Sequence, residues 1–117
     1  MKKIYYLGTC STCIRIIKEL GITESNFDMQ DIKSQPITAE QIDEMKNLSG
    51  SFESLFSRRA MKYKSMGLAQ QDLSESDYKR LILEEYTFLK RPVFIVENEI
   101  FIGNSKKVVE AVNLKIN

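Results

Sequence analysis

The sequence contains no histidine and no tryptophan, only two prolines and two cysteines, and no apolar run approaching the length of a membrane span. Each absence narrows the chemistry. Without an imidazole, mechanisms that rely on histidine as general base are excluded. A zinc site would need two ligands beyond the cysteines, and only carboxylates or a second subunit supply them. A helix crossing a bilayer needs about 18 or more consecutive apolar residues, so no membrane partner is expected. The apolar start is too short for a signal peptide and leads directly into the cysteines, so a cytoplasmic location is expected. An excess of one charge is also missing: 17 basic and 16 acidic residues are mixed along the chain for a net charge of +1. No basic stripe predicts direct nucleic-acid binding, and no acidic tail predicts a tail partner. With 117 residues, 43% of them hydrophobic, the chain fits a single domain over 1–117 around one core.

What is present is organised around the first segment. Ile4, Tyr5, Tyr6 and Leu7 form a near-continuous apolar run of the kind a buried strand shows, and they lead through Gly8-Thr9 to Cys10-Ser11-Thr12-Cys13. From Ser11 the apolar spacing becomes helical through Cys13, Ile14, Ile16, Ile17 and Leu20, with Gly21 placed to end the helix. Asn26 to Ile32 predicts a second strand parallel to the first, completing a βαβ unit. Thr38 and Gln41 form a capping box ahead of Ile42, Met45 and Leu48 and predict a helix over 39–48. Phe52 to Phe56 and Arg58 to Met66 predict short helical turns. Ser74, with Asp77 three residues on, opens a longer helix carrying Tyr78, Leu81, Ile82 and Tyr86 on one face. Pro92 to Val96, a turn at Glu97-Asn98-Glu99, and Ile100 to Ile102 predict an antiparallel hairpin with a positive φ at Asn98. Ser105 caps a last helix burying Val108, Val109 and Val112. The order βαβ, helices, ββα predicts an α/β thioredoxin-like, or glutaredoxin-like, fold. Its mixed four-stranded sheet carries an inserted helical subdomain over about 37–88.

Two cysteines at this spacing, between a strand and a helix, are a redox signal in a reducing compartment. A thiol at a helix N-terminus faces unpaired backbone N–H groups and the positive end of the dipole, so its pKa falls. That makes Cys10 the candidate nucleophile. Cys13, one turn on, is the candidate resolving thiol that releases an adduct as a disulfide. Thr9 and Ser11 flank Cys10 with polar side chains. The competing readings are two small buried apolar residues and half of a zinc site shared across a dimer. Arg91-Pro92 is a permitted strand boundary whatever its function. In a thioredoxin-like architecture that proline is usually cis and opposes the cysteine turn, which would direct Arg91 toward Cys10 as a thiolate or anion partner. Arg58 and Arg59, followed by Lys62 and Lys64, are either a solvated helix face or an anion clamp folded over the cysteines.

With Cys10-Ser-Thr-Cys13, the stretch Leu55 to Leu68 and the stretch Leu89 to Ile95 taken together, the chain resembles the ArsC/Spx/YffB family nearly end to end. The resemblance implies a thioredoxin-like fold with a helical insertion and no bound cofactor. In the arsenate reductases of that family a cysteine at the position of Cys10 attacks arsenate, glutathione resolves the adduct, glutaredoxin completes the cycle, and three arginines hold the oxyanion. Arg91 matches one of these. The other two fall on Ser57, with Arg58 and Arg59 adjacent, and on Gly103 or Asn104, while Tyr6 stands where those reductases carry a histidine. Cys13 replaces their usual serine and matches the second cysteine of Spx-like redox regulators. Arg59 matches an arginine of the same block, and Gly50 lies near the glycine through which those regulators contact the RNA polymerase α subunit. The resemblance thus implies a thiol–disulfide oxidoreductase of the arsenate reductase family, with glutathione, glutaredoxin or thioredoxin as reductant, or else an Spx-like regulator. The YffB-like branch implies a glutathione-dependent thiol reductase.

Overall fold

The computed structural model describes residues 1–117. In chain order the elements are strand β1 (Lys2–Tyr6), helix α1 (Ser11–Glu19), β2 (Asp28–Asp31), α2 (Ala39–Ser49), α3 (Met61–Ser65), α4 (Glu75–Glu84), β3 (Val93–Val96), β4 (Glu99–Ile102) and α5 (Lys106–Ile116). Short 3-10 turns occupy Glu53–Leu55, Leu68–Gln70 and Tyr86–Phe88. The chain divides into two units, one made of Met1–Gln35 with Arg91–Asn117 and the other of Pro36–Lys90.

In the first unit the strand order is β2-β1-β3-β4. β1 runs parallel to β2 with Tyr6 opposite Asp31, and antiparallel to β3 with Tyr5 opposite Val93. β3 and β4 close as a hairpin. The sheet is therefore mixed and four-stranded, as the pattern predicts. Strand alternation sends Ile4, Phe94 and Val96 to one face, where they meet Ile16, Ile17 and Leu20 of α1 and Val112 of α5 in a single buried cluster. Each side chain fully buried there contributes on the order of 1.5–3 kcal/mol. Val108 and Val109, expected to be buried, are only partly covered, and Val112 alone is inside. The hairpin turn is a residue shorter than expected. Glu97 and Asn98 take φ of 49° and 71° and form it between them, while Glu99 already belongs to β4. β2 is shorter than the run Asn26 to Ile32: Asp28 to Asp31 stand in register with Lys3 to Tyr6, and Ile32 adds one last N–H to the Tyr6 carbonyl at 2.9 Å.

The second unit is helical. The predicted capping box forms, Thr38 accepting from the Gln41 N–H at 3.1 Å, and Ser74, expected to open α4, makes a second one by accepting from the Asp77 N–H at 3.2 Å. α4 buries Tyr78, Leu81 and Ile82, but Tyr86 lies beyond its end, in the following 3-10 turn. The helical turn expected from Arg58 begins only at Met61. Residues 55–57 are held extended by backbone pairing with 88–90, through Ser57 N–H to Phe88 carbonyl at 2.7 Å and Lys90 N–H to Leu55 carbonyl at 2.8 Å. Fully buried Phe56 contacts the rings of Tyr63, Tyr78 and Phe88 at centroid distances of 6.0, 4.9 and 5.0 Å.

Candidate active site: the Cys10–Cys13 turn

β1 ends at Tyr6, and Leu7-Gly8-Thr9 turns the chain into α1. The turn is closed by the Cys10 N–H donating to the Leu7 carbonyl at 3.0 Å, and the helix is opened by the Ile14 N–H donating to the Cys10 carbonyl at 3.1 Å. Cys10 is the N-cap, with extended φ and ψ of −92° and 113° and no side-chain capping hydrogen bond of full geometry. Its sulfur therefore stands over the first turn of α1. Thr9 and Ser11 are exposed on either side, Cys10 is half-buried, and Cys13 is fully buried one turn on. Both are free thiols.

The environments of the two sulfurs push them apart. Burial opposes ionisation of Cys10. It is outweighed by the Cys13 backbone N–H, the Cys13 thiol hydrogen, the Thr12 backbone and the charge of Arg91, so the Cys10 thiol sits below its ordinary value. Cys13 is pushed up to about 11, first by burial and then by the neighbouring Cys10 sulfur, with the Leu7 backbone and Arg91 only partly offsetting. At neutral pH the pair therefore holds one proton more firmly on the inner sulfur and releases the outer one more readily.

Arg91 and Pro92 precede β3, and the peptide bond between them is cis. Since Val93 pairs with Tyr5, Pro92 and Arg91 lie one and two residues beyond the ladder, beside the end of β1 from which the cysteine turn departs. Pro92 is buried, and its carbonyl accepts the Gly103 N–H at 2.9 Å. Arg58 and Arg59 belong to the helical unit. Arg58 donates to Glu53 at 2.7 Å and to the Tyr78 hydroxyl at 3.0 Å, and its guanidinium lies 5.7 Å from the Tyr78 ring centroid. Lys62 is paired with Glu85 at 2.8 Å. Arg59 is exposed. No group of three or more His, Cys, Asp or Glu side chains is arranged to hold a metal ion. No helix is long and apolar enough to cross a membrane.

Two residues beside the turn were not singled out from the sequence. A Cβ on Gly8 would stand 2.5 Å from Asp31 Oδ2, closer than any real side chain tolerates, so position 8 has room only for glycine unless Asp31 moves. Asp31 itself is fixed through its other oxygen, which accepts the Lys33 N–H at 3.1 Å. A Gly two residues before a cysteine is a visible signal of a close approach, but what approaches is set by the parallel pairing of β1 and β2.

Known proteins resemble the chain in sequence and in structure. The chain is 22% identical over 112 residues to the global transcriptional regulator Spx 2 of Lactococcus lactis subsp. lactis (strain IL1403), an alignment covering 95% of this chain and 85% of the relative. In structure it resembles the arsenate reductase from Vibrio cholerae, with a TM-score of 0.73 at 17% identity over 97% of this chain and 96% of that one. It also resembles a protein named YFFB, with a TM-score of 0.80 at 18% identity over the full length of both. These structural likenesses establish the thioredoxin-like fold. The ArsC family model aligns with residues 5–112, from β1 through the cysteine turn and the helical unit into α5, and the chain belongs to the ArsC family.

Proposed function

We propose that the chain is a thiol–disulfide oxidoreductase in which Cys10 is the nucleophile, Cys13 the resolving thiol and Arg91 the charge that supports the Cys10 thiolate. The observation that carries this reading is the placement of two free thiols on one helix turn, Cys10 half-exposed as the N-cap of α1 and Cys13 fully buried three residues on, with the outer thiol pKa lowered and the inner one raised in consequence. A symmetric pair of inert buried cysteines has no cause for such a split. Cys10 thiolate attacks one sulfur of a disulfide, forms a mixed disulfide and expels the other half as a thiolate. Cys13 then gives up its proton, attacks the Cys10 sulfur and expels the second half, leaving a Cys10–Cys13 disulfide. Two electrons have passed to the substrate, and an external thiol must return them. Glutathione, glutaredoxin or thioredoxin are the reductants proposed, with Thr9, Ser11 and Pro92 lining the approach.

The test is turnover of a small disulfide in the presence of each reductant, for the wild type and for Cys10→Ser and Cys13→Ser. Loss of all turnover in Cys10→Ser, with a trapped mixed disulfide in Cys13→Ser, is expected. Full turnover in Cys10→Ser would overturn the assignment. A second reading follows from the sequence relatives that bear the name of a transcriptional regulator: the same dithiol would serve as a sensor, its oxidation altering contact with the RNA polymerase α subunit. Redox-dependent binding to isolated α subunit without multiple turnover of any disulfide would favour that reading.

A further inference from the structure

β2 and β3 flank β1 on opposite sides, so the chain leaving β1 toward Cys10 runs between what ends β2 and what begins β3. On the β3 side stand Arg91 and Pro92. On the β2 side stands Asp31, the cross-strand partner of Tyr6. The Asp31 carboxylate does not point away from the turn: its Oδ2 lies against the backbone of Gly8, and its Oδ1 is held by the Lys33 N–H. Its field reaches the Tyr6 hydroxyl, which burial first, and then Asp31 and Glu24, hold above the ordinary tyrosine value. Gly8 and Thr9 are exposed and Asp31 is half-buried, so the exposed backbone that leads to Cys10 has a carboxylate beside it on the β2 side.

The geometry points to Asp31 as a specificity-determining residue that selects disulfides and thiols carrying an ammonium group on the β2 side. A compact polyanion is disfavoured on the same flank. The inference rests on the oxidoreductase reading and adds to it the charge of the substrate. It adds no chemical step: the sulfur exchange is the one described above, and Asp31 acts only on the group beside the reacting disulfide. The glycine at position 8 has a role in this arrangement, since any side chain there would displace the carboxylate from the path.

The experiment measures the rate at which the reduced protein is oxidised by three small disulfides: cystamine, a dication; bis(2-hydroxyethyl) disulfide, neutral; and dithiodiglycolate, a dianion. Each rate is divided by that of a free dithiol under the same conditions, which removes intrinsic leaving-group differences. Asp31→Asn keeps the size of the side chain and its acceptor for Lys33. For Asp31→Asn the normalised ratio of cystamine to dithiodiglycolate is expected to fall by about three- to tenfold, the effect of one charge at close range in a half-buried, partly screened site. Raising the salt to about 0.5 M should narrow the difference in this ratio between the wild type and Asp31→Asn, which a structural role for Asp31 would not produce. A uniform change across all three disulfides, or an unchanged ratio with no salt dependence, would overturn the assignment of Asp31 and leave the oxidoreductase reading standing. No reaction of Cys10 with any of the three would overturn both.

Discussion

The two cysteines share a helix turn and differ in nearly everything that sets thiol reactivity. Alkylation of Cys10 is expected to show an inflection below the free thiol value of about 8.5, while Cys13 stays unreactive until far higher pH; a rate–pH profile with peptide mapping reads both at once. The same displacement has a consequence for stability. Cys13 has a folded pKa raised to about 11, so its contribution is fully present below the ordinary thiol value and is lost as pH rises from there toward about 11. In Cys10→Ser burial alone still holds the Cys13 pKa up, so the unfolding free energy should fall as pH rises above the ordinary thiol value, by at most about 1.4 kcal/mol per pH unit beyond the slope of Cys10→Ser/Cys13→Ala. Chemical denaturation at a series of pH values compares the two. Cys10, lowered, contributes with the opposite sign, present above its unfolded value and lost as pH falls through the folded one. Arsenate reduction is expected to be poor or absent, because a thiolate and an oxyanion approach each other only where several cations compensate, and each missing charge-assisted contact costs on the order of 3 kcal/mol, roughly a hundredfold in rate. Of the arginines near the family's positions, Arg58 is already committed to Glu53 and Tyr78. Arsenate-dependent consumption of reductant, with glutathione and glutaredoxin supplied, tests this; turnover abolished in Cys10→Ser and matching an arginine-complete relative would contradict it.

Elements announced by local chemistry were legible in the sequence, and those decided by distant pairing were not. Thr38 with Gln41 and Ser74 with Asp77 marked helix starts because a cap needs only the next three residues. Replacing Thr38 or Ser74 by alanine should each lower the unfolding free energy by about 1 kcal/mol, a shift that denaturant titration resolves. The strand–turn–helix carrying Cys10 and Cys13 was equally local. By contrast, Arg58 begins no helix because Leu55 to Ser57 are drawn into backbone pairing with Phe88 to Lys90, some thirty residues away in sequence and invisible to periodicity. Tyr86 continued the apolar stripe of α4 on paper, yet α4 ends at Glu84 and Glu85 accepts from the Thr87 N–H to start a tighter turn. The carboxylate beside the cysteine turn was hidden for the same reason. Asp31 and Gly8 are brought together only by the register of β1 on β2. Gly8→Ala is expected to displace Asp31 or the turn, lowering stability by about 1–3 kcal/mol and slowing Cys10 alkylation; unchanged alkylation would mean that the turn tolerates the methyl group.

For the whole molecule the central question is what the dithiol serves, since this ArsC-family chain is similar in structure to a protein named as an arsenate reductase and in sequence to proteins named as transcriptional regulators. Oxidation of the monomer should give one intramolecular Cys10–Cys13 disulfide, because a one-turn spacing permits the short Cα separation such a bond needs; intact mass and peptide mapping of the oxidised protein identify it. Adducts to glutathione alone would remove Cys13 from the resolving role. The burial of Cys13 also sets a clock. A buried sulfur gives up its proton reluctantly, burial being the largest cause of the raised Cys13 pKa, so whatever has joined itself to Cys10 remains attached while that proton departs, longest in mildly acidic medium and most briefly in alkaline. Quenching the unaltered protein with acid at short times should therefore recover its covalent partners by mass, turning slow release into a means of learning what the molecule meets.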